Sequence, residues 1–124
     1  MPYKTSWIVD KRVILIEYID TVTIEDVEAI NENLRRYAEE GIAPIHMVSD
    51  HTQMGKVKLE LKTIQSAFTI LGLDVWGYFV MVGADTLTSF FASMIGTMSH
   101  INLKSRKNRD QALDFLRQED HTMA

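Results

Sequence analysis

The sequence predicts an α/β fold: a mixed, mostly parallel five-stranded sheet with helices, its elements in the order ββαβαβαβα. Three observations lead there. Tyr78 to Val82 is an unbroken apolar run bounded by Gly77 and Gly83, as suits a strand covered on both faces. β-branched and apolar runs recur at Arg12–Ile19 and Ala43–Asp50. Between these runs lie segments whose apolar residues repeat every three or four positions, the spacing of a helix with one face on a core. Strands separated by helices need crossover connections, which are right-handed in nearly all known cases and leave the strands parallel with helices packed against the sheet.

Each element has its own local reason. Tyr3 to Val9 ends in Trp7, Ile8 and Val9, and Asp10-Lys11 is a polar pair that closes a hairpin with Arg12–Ile19. Thr23 with Asp26 three residues later resembles a capping box, with a shorter carboxylate in place of the usual Glu or Gln. Ile24, Val27, Ile30, Leu34, Tyr37 and Ala38 then form one stripe, so a helix runs from Thr23 to Glu40 and stops at Gly41. Glu25, Asp26 and Glu28 come early in it and Arg35 and Arg36 late, which suits the helix dipole. Ala43–Asp50 is the third strand, with Pro44 at a position where no ladder donor is lost.

His51 to Lys58 contains Gly55 and has no periodicity, so it reads as a loop. Leu61, Ile64, Ala67, Phe68 and Leu71 restore a helix from Leu59, closed by Gly72. After the strand Gly77–Gly83, Asp85 or Thr86 caps a helix over Asp85–Ser99. Ile101–Ser105 is a short edge strand. Asn108 with Gln111 is a second cap, and Ala112, Leu113, Phe115 and Leu116 form the core face of the last helix. Residues 1–119 thus make one domain, and residues 120–124 are expected to fray.

Composition excludes several classes of function. At 124 residues, 46% of them hydrophobic, the chain is one ordinary globular domain rather than a disordered segment. A formal net charge of −4 and no basic stripe argue against nucleic acid as a partner. There is no cysteine, which removes disulfides, thiolate catalysis and cysteine-type zinc sites. Met1 to Asp10 carries Lys4 and Asp10 and does not read as a signal peptide, and no apolar run is long enough to span a bilayer. A cytoplasmic protein without membrane insertion is the expectation.

The order of elements and several local features resemble the STAS domain, and more closely the broader SpoIIAA-like group. The features are the opening strand pair through Ile19, the threonine-capped helix Thr23–Glu40, the strand ending in Asp50 and the glycine-bounded strand Gly77–Gly83. The close, Asn108-Arg-Asp-Gln-Ala-Leu-Asp-Phe-Leu after a short strand, completes the set. The resemblance covers nearly the whole chain. It implies a regulatory module of the kind found in anti-sigma-factor antagonists and in the cytoplasmic tails of sulphate transporters. Phospho-switched antagonists carry an Asp-Ser-Ser-Gly-like motif at the start of the second helix. This chain instead reads Asp50-His51-Thr52-Gln53-Met54-Gly55-Lys56-Val57-Lys58-Leu59, in which Thr52 is the only hydroxyl and stands several residues too early.

Two sets of residues are candidates for a site. Leu87, Phe90, Phe91, Met94, Ile95 and Met98 give their helix a broad apolar surface, read first as core packing. The sharper reading places Phe90, Phe91, Met94 and Met98 on a dimer face, a partner groove or an apolar-ligand pocket, which adaptable Met and Phe side chains suit. The second set is polar: His46, Asp50, His51 and Thr52, near the carboxyl end of the sheet where open α/β sheets bind ligands. No metal spacing supports it, so His46 reads as a hydrogen-bonded strand residue and His51 as solvated. Ser49-Asp50-His51 has the letters of a triad, but neighbours on an extended strand point in opposite directions. Lys56, Lys58 and Lys62, and Lys104, Arg106, Lys107 and Arg109, form two basic clusters that either face solvent or meet an acidic partner.

The sequence therefore predicts a non-enzymatic STAS-like regulatory or protein-interaction module without the usual phosphorylatable serine and without a cofactor. Its partner is a protein of unknown identity, and a homodimer through the Phe/Met helix is one form of it. The alternative is a carrier or sensor of a small apolar or lipid-like ligand.

Overall fold

β3 (Ile45–Asp50) is the middle strand of the sheet, and all six of its residues are buried. That is what an apolar strand with helices on both faces requires. The computed structural model describes residues 2–54, 70–83 and 102–123. Within them the sheet has five strands whose spatial order equals their chain order: β1 (Tyr3–Val9), β2 (Val13–Tyr18), β3, β4 (Trp76–Val82) and β5 (Asn102–Arg106). β1 runs antiparallel to β2, and β2 to β5 are mutually parallel. The expected mixed, mostly parallel sheet is present. The helices expected over Leu59–Leu71 and Asp85–Ser99 lie outside the described residues, apart from helical backbone at Ile70 and Leu71. Among the described residues no helix is long and apolar enough to cross a membrane.

The hairpin loop is one residue longer than the Asp10-Lys11 pair read from the sequence. Val9 pairs with Val13, so the loop holds Asp10, Lys11 and Arg12, and Lys11 takes a left-handed φ of 60°. The Arg12 N–H donates to the Val9 carbonyl at 3.0 Å. The left-handed Lys11 is the third residue of the turn Val9–Arg12, the position at which a type II turn needs a positive φ. Arg12 therefore leaves the strand, and its side chain is released towards the amino end of the parallel sheet.

α1 (Ile24–Glu40) begins with a complete capping box. Thr23 Oγ1 accepts from the Asp26 N–H at 3.2 Å, and the Thr23 N–H donates to Asp26 Oδ2 at 2.9 Å. Its other end is less favourable than expected, since the last turn carries Glu39 and Glu40 and no base. The second described helix, α2 (Arg109–Glu119), is capped by Asn108 Oδ1 accepting from the Gln111 N–H at 2.9 Å.

Alternation along β3 divides the core. Ile45 and Met47 face α1 and pack with Tyr3, Ile14, Ile16, Ile30 and Leu34. Val48 faces α2 and packs with Val13, Leu15, Val80, Val82, Ala112 and Leu116. By the same period of two, His46 and Asp50 lie on the α2 face and Ser49 on the α1 face. This partition decides which polar residues can meet.

Candidate functional site

α2 is fastened to β3 at both ends. At its first residue, Arg109 Nε donates to Asp50 Oδ2 at 2.6 Å while Nη2 donates to Glu17 Oε1 at 2.6 Å, so one guanidinium joins β2, β3 and α2. At the far end Asp120, the residue that closes α2, accepts from His46 Nε2 at 2.8 Å and from Arg12 Nη2 at 2.9 Å, both on Oδ2. The spacing matches: eleven helical residues span roughly 16 Å, and four strand steps from His46 to Asp50 span roughly 13 Å.

The two carboxylates are held in the same way. Asp50 Oδ1 accepts from the Thr52 N–H at 2.9 Å and from Thr52 Oγ1 at 2.7 Å. Asp120 Oδ1 accepts from the Thr122 N–H at 2.9 Å and from Thr122 Oγ1 at 2.5 Å. Each is a turn in which an aspartate side chain binds the backbone two residues on. Burial alone would raise the Asp50 carboxyl, but the bonds from Thr52 and Arg109 outweigh it and hold it below the ordinary carboxylate value. The same contest at Asp120, with Thr122, His46 and Arg12 against burial, ends well below that value.

The His46 tautomer follows from its neighbours. The Tyr78 backbone N–H donates to Nδ1 at 2.9 Å, so Nδ1 is the unprotonated nitrogen and Nε2 carries the proton that goes to Asp120. Gly77 makes this fit possible, because a Cβ there would stand 2.4 Å from the imidazole. At the other end Gly83, with φ of 67°, lets the end of β4 close on Thr52, whose Cγ2 would lie 2.5 Å from a Cβ.

A third cluster lies on the α1 face. Ser49 Oγ and His51 Nε2 are 2.6 Å apart, and His51 Nδ1 is 3.0 Å from Met54 Sδ. The Tyr18 ring stacks on His51 with centroids 4.7 Å apart. Burial pushes the Tyr18 phenol up to about 12, and its hydrogen bond with Ser49 offsets part of that.

The sequence candidates are thus divided. Asp50, His51 and Thr52 sit in one turn, while His46 stands at the amino end of β3 and belongs to the Asp120 cluster. His51, expected to be solvated, is half-buried between Ser49, Tyr18 and Met54. Ser49 and Asp50 do point to opposite faces, but Ser49 and His51, two residues apart, share a face and touch. Asp120, expected to fray, is buried, because its carboxylate meets Arg12 and His46 and its turn returns Thr122 to Arg12 Nη2 at 2.7 Å. Arg109, read as part of a basic cluster, is paired with two carboxylates. Glu17, Arg12 and Asp120 were missed. The one signal that would have found Asp120 is the tripeptide Asp-His-Thr, which occurs at Asp50 and again at Asp120. Phe90, Phe91, Met94 and Met98, with Lys56, Lys58 and Lys62, lie outside the described residues. Among the described residues no group of three or more His, Asp or Glu is placed to hold a metal ion.

No protein-family model matches the chain, and no curated protein matches it in sequence. Solved structures do. The anti-sigma factor antagonist SpoIIAA in its unphosphorylated form aligns with a TM-score of 0.64 over 93% of this chain and 97% of that one, at 10% identity. The phosphorylated form of SpoIIAA, a Bacillus cell fate determinant, gives 0.62 over 93% and 99%, at 9% identity. An uncharacterized protein of the DUF3478 family from Shewanella loihica, itself with a SpoIIAA-like fold, gives 0.64 over 92% and 91%, at 18% identity. The fold is SpoIIAA-like.

In this SpoIIAA-like chain the loop after β3 is a place of internal bonding. Asp50 uses both oxygens, Thr52 uses its N–H and its hydroxyl, and Arg109 covers the end of the sheet. Of the segment Asp50–Leu59, which departs from the serine motif, residues 50–54 are described.

Proposed function

We propose that this SpoIIAA-like chain is a non-enzymatic regulatory module that binds a protein partner in the cytoplasm, without the phosphorylatable serine of the phospho-switched antagonists. The observation that carries this reading is the state of Ser49. Its hydroxyl is the described nucleophile with a histidine against it, and the residue is 1% exposed, enclosed by His51 and Tyr18. A nucleophile must reach its substrate, and this one is walled off by its own neighbours. The carboxylates nearby are likewise engaged by Arg109 and Thr52. Groups that would do chemistry on an open site serve here to hold loops and a helix in place. A binding module needs such a frame to present its surface.

The face assigned to the partner is the apolar stripe Phe90, Phe91, Met94 and Met98 read from the sequence. The test recovers partners of the wild type and of Phe91→Asp with Met94→Asp, and analyses both purified chains by native mass spectrometry and circular dichroism. The expected result is a stoichiometric protein complex that the substitutions abolish while the fold is kept. A tightly held apolar small molecule in the wild type, in place of a protein, would move the assignment to a ligand carrier.

A further inference from the structure

We propose that the open edge of β1 pairs with β1 of a second copy, antiparallel about a two-fold axis at Thr5, joining two five-stranded sheets into one. This rests on the edge itself and is independent of the partner face assigned above.

β1 is seven residues long with no proline inside it, and among the described residues no strand pairs with its outer edge. The Ile19 N–H donates to the Pro2 carbonyl at 2.7 Å, which sets the phase of the ladder. In an antiparallel pair, residues alternate between exchanging bonds with the neighbour and turning their main-chain groups away. Pro2, Lys4 and Ser6 therefore face β2, and Tyr3, Thr5 and Trp7 direct N–H and C=O groups to the open edge. Tyr3 to Ser6 of β1, Glu17 of β2 and Asn33 and Arg36 of α1 line an open groove.

The two edges of the sheet are built differently. β5 is five residues long and carries Lys104 and Arg106, with Lys107 next, the short charged form that discourages pairing. β1 carries one charge, Lys4, among residues of high strand preference. Its pattern is also self-complementary. With Thr5 opposite Thr5, Tyr3 falls opposite Trp7, so every outward N–H and C=O of both copies finds a partner. On the α1 face this brings together threonine with threonine and tyrosine with tryptophan, pairings that stabilise neighbouring strands. On the other face Lys4 falls opposite the exposed Ser6, and no like charges stand directly opposed. A contact that repeats itself under a two-fold axis closes as a dimer.

Sedimentation equilibrium on the full chain tests this with changes at Ser6, whose main-chain groups stay on β2. The wild type is expected to dimerise. Ser6→Glu, opposite Lys4 of the second copy, is expected to tighten the dimer and Ser6→Lys to loosen it, the two Kd values differing roughly tenfold. Adding Lys4→Glu to Ser6→Lys is expected to restore association. Thr5→Pro, which removes an outward donor at the axis, is expected to give a folded monomer. If that chain fails to fold, the Ser6 pair still decides. A wild type that is monomeric at every concentration overturns the proposal, as does a dimer whose Kd is the same in both Ser6 variants.

Discussion

Asp50, His51 and Thr52 at the carboxyl end of β3, and Asp120, His121 and Thr122 beyond α2, form the same turn with the same bonds and each receive an arginine. Their surroundings differ. Arg109 at the first turn has a side chain 43% exposed and a second carboxylate, Glu17, to bind. Arg12 at the second is 12% exposed, and the Asp120 carboxylate also serves the buried His46. The sequence of the turn is shared and the two aspartate side chains are equally buried, at 8% and 9% exposed; the exposure of the arginine decides what the turn does. In contact with water the ion pair is a clamp with an alternative partner, whereas out of water it is a set of polar groups that need one another.

The comparison breaks most visibly if one carboxylate is removed from each end. Asp120→Ala leaves the buried His46 N–H without its acceptor and Arg12 with only the neutral oxygens of Pro44 and Thr122, and is expected to cost about 3–5 kcal/mol. Asp50→Ala leaves Arg109 with Glu17 and water and is expected to cost about 1–2 kcal/mol. Urea unfolding of the two variants beside the wild type gives both numbers, and equal losses would mean that exposure of the arginine does not set the difference.

The next effect comes from the space around His46. Gly77→Ala puts a methyl group into the imidazole and is expected to destabilise by about 1–3 kcal/mol. His46→Ala in the same background should remove most of that added cost, a coupling that a thermal-melt double-mutant cycle detects.

Acid sharpens the contrast further. Both carboxyls titrate lower in the folded state than in the unfolded chain, Asp120 the more strongly. Their contribution is fully present above the unfolded value of about 3.9 and is lost as pH falls through the depressed folded values. The urea midpoint of the wild type should fall below about pH 4. Asp120→Asn should flatten that acid limb more than Asp50→Asn, and the reverse order would contradict the assigned roles.

The smallest effects belong to the hydroxyls. Thr52→Ala and Thr122→Ala each remove one donor to an aspartate and should cost about 0.5–1.5 kcal/mol, with the larger loss at Thr122 because its hydroxyl also accepts from Arg12. Chemical unfolding at neutral pH is sufficient to rank them.

The comparison also explains why part of the site was legible and part was not. Asp50, His51 and Thr52 are adjacent, and an aspartate followed two residues later by a threonine is a local signal. Their partners are not local. Arg109 lies 59 residues from Asp50 and 92 from Glu17, and Arg12 lies 108 from Asp120. His46 looked like a neighbour of Asp50 because they are four residues apart. On a strand, that distance separates the two ends of the sheet.

What the sequence determined by itself is the set of elements: the threonine-capped α1, the apolar run of β4, buried at Val80 to Val82, and the Asn108 cap of α2. Each depends on residues within one or two turns of one another, and the periods of two and 3.6 express themselves in any fold. Only the tertiary structure decided that Arg12 leaves its strand at a left-handed Lys11, that Asp120 is buried, and that Ser49 and His51 are enclosed by Tyr18. Those outcomes depend on which charges share a face after the sheet is assembled and on how much water remains there. Both are properties of the packed chain and of no segment within it.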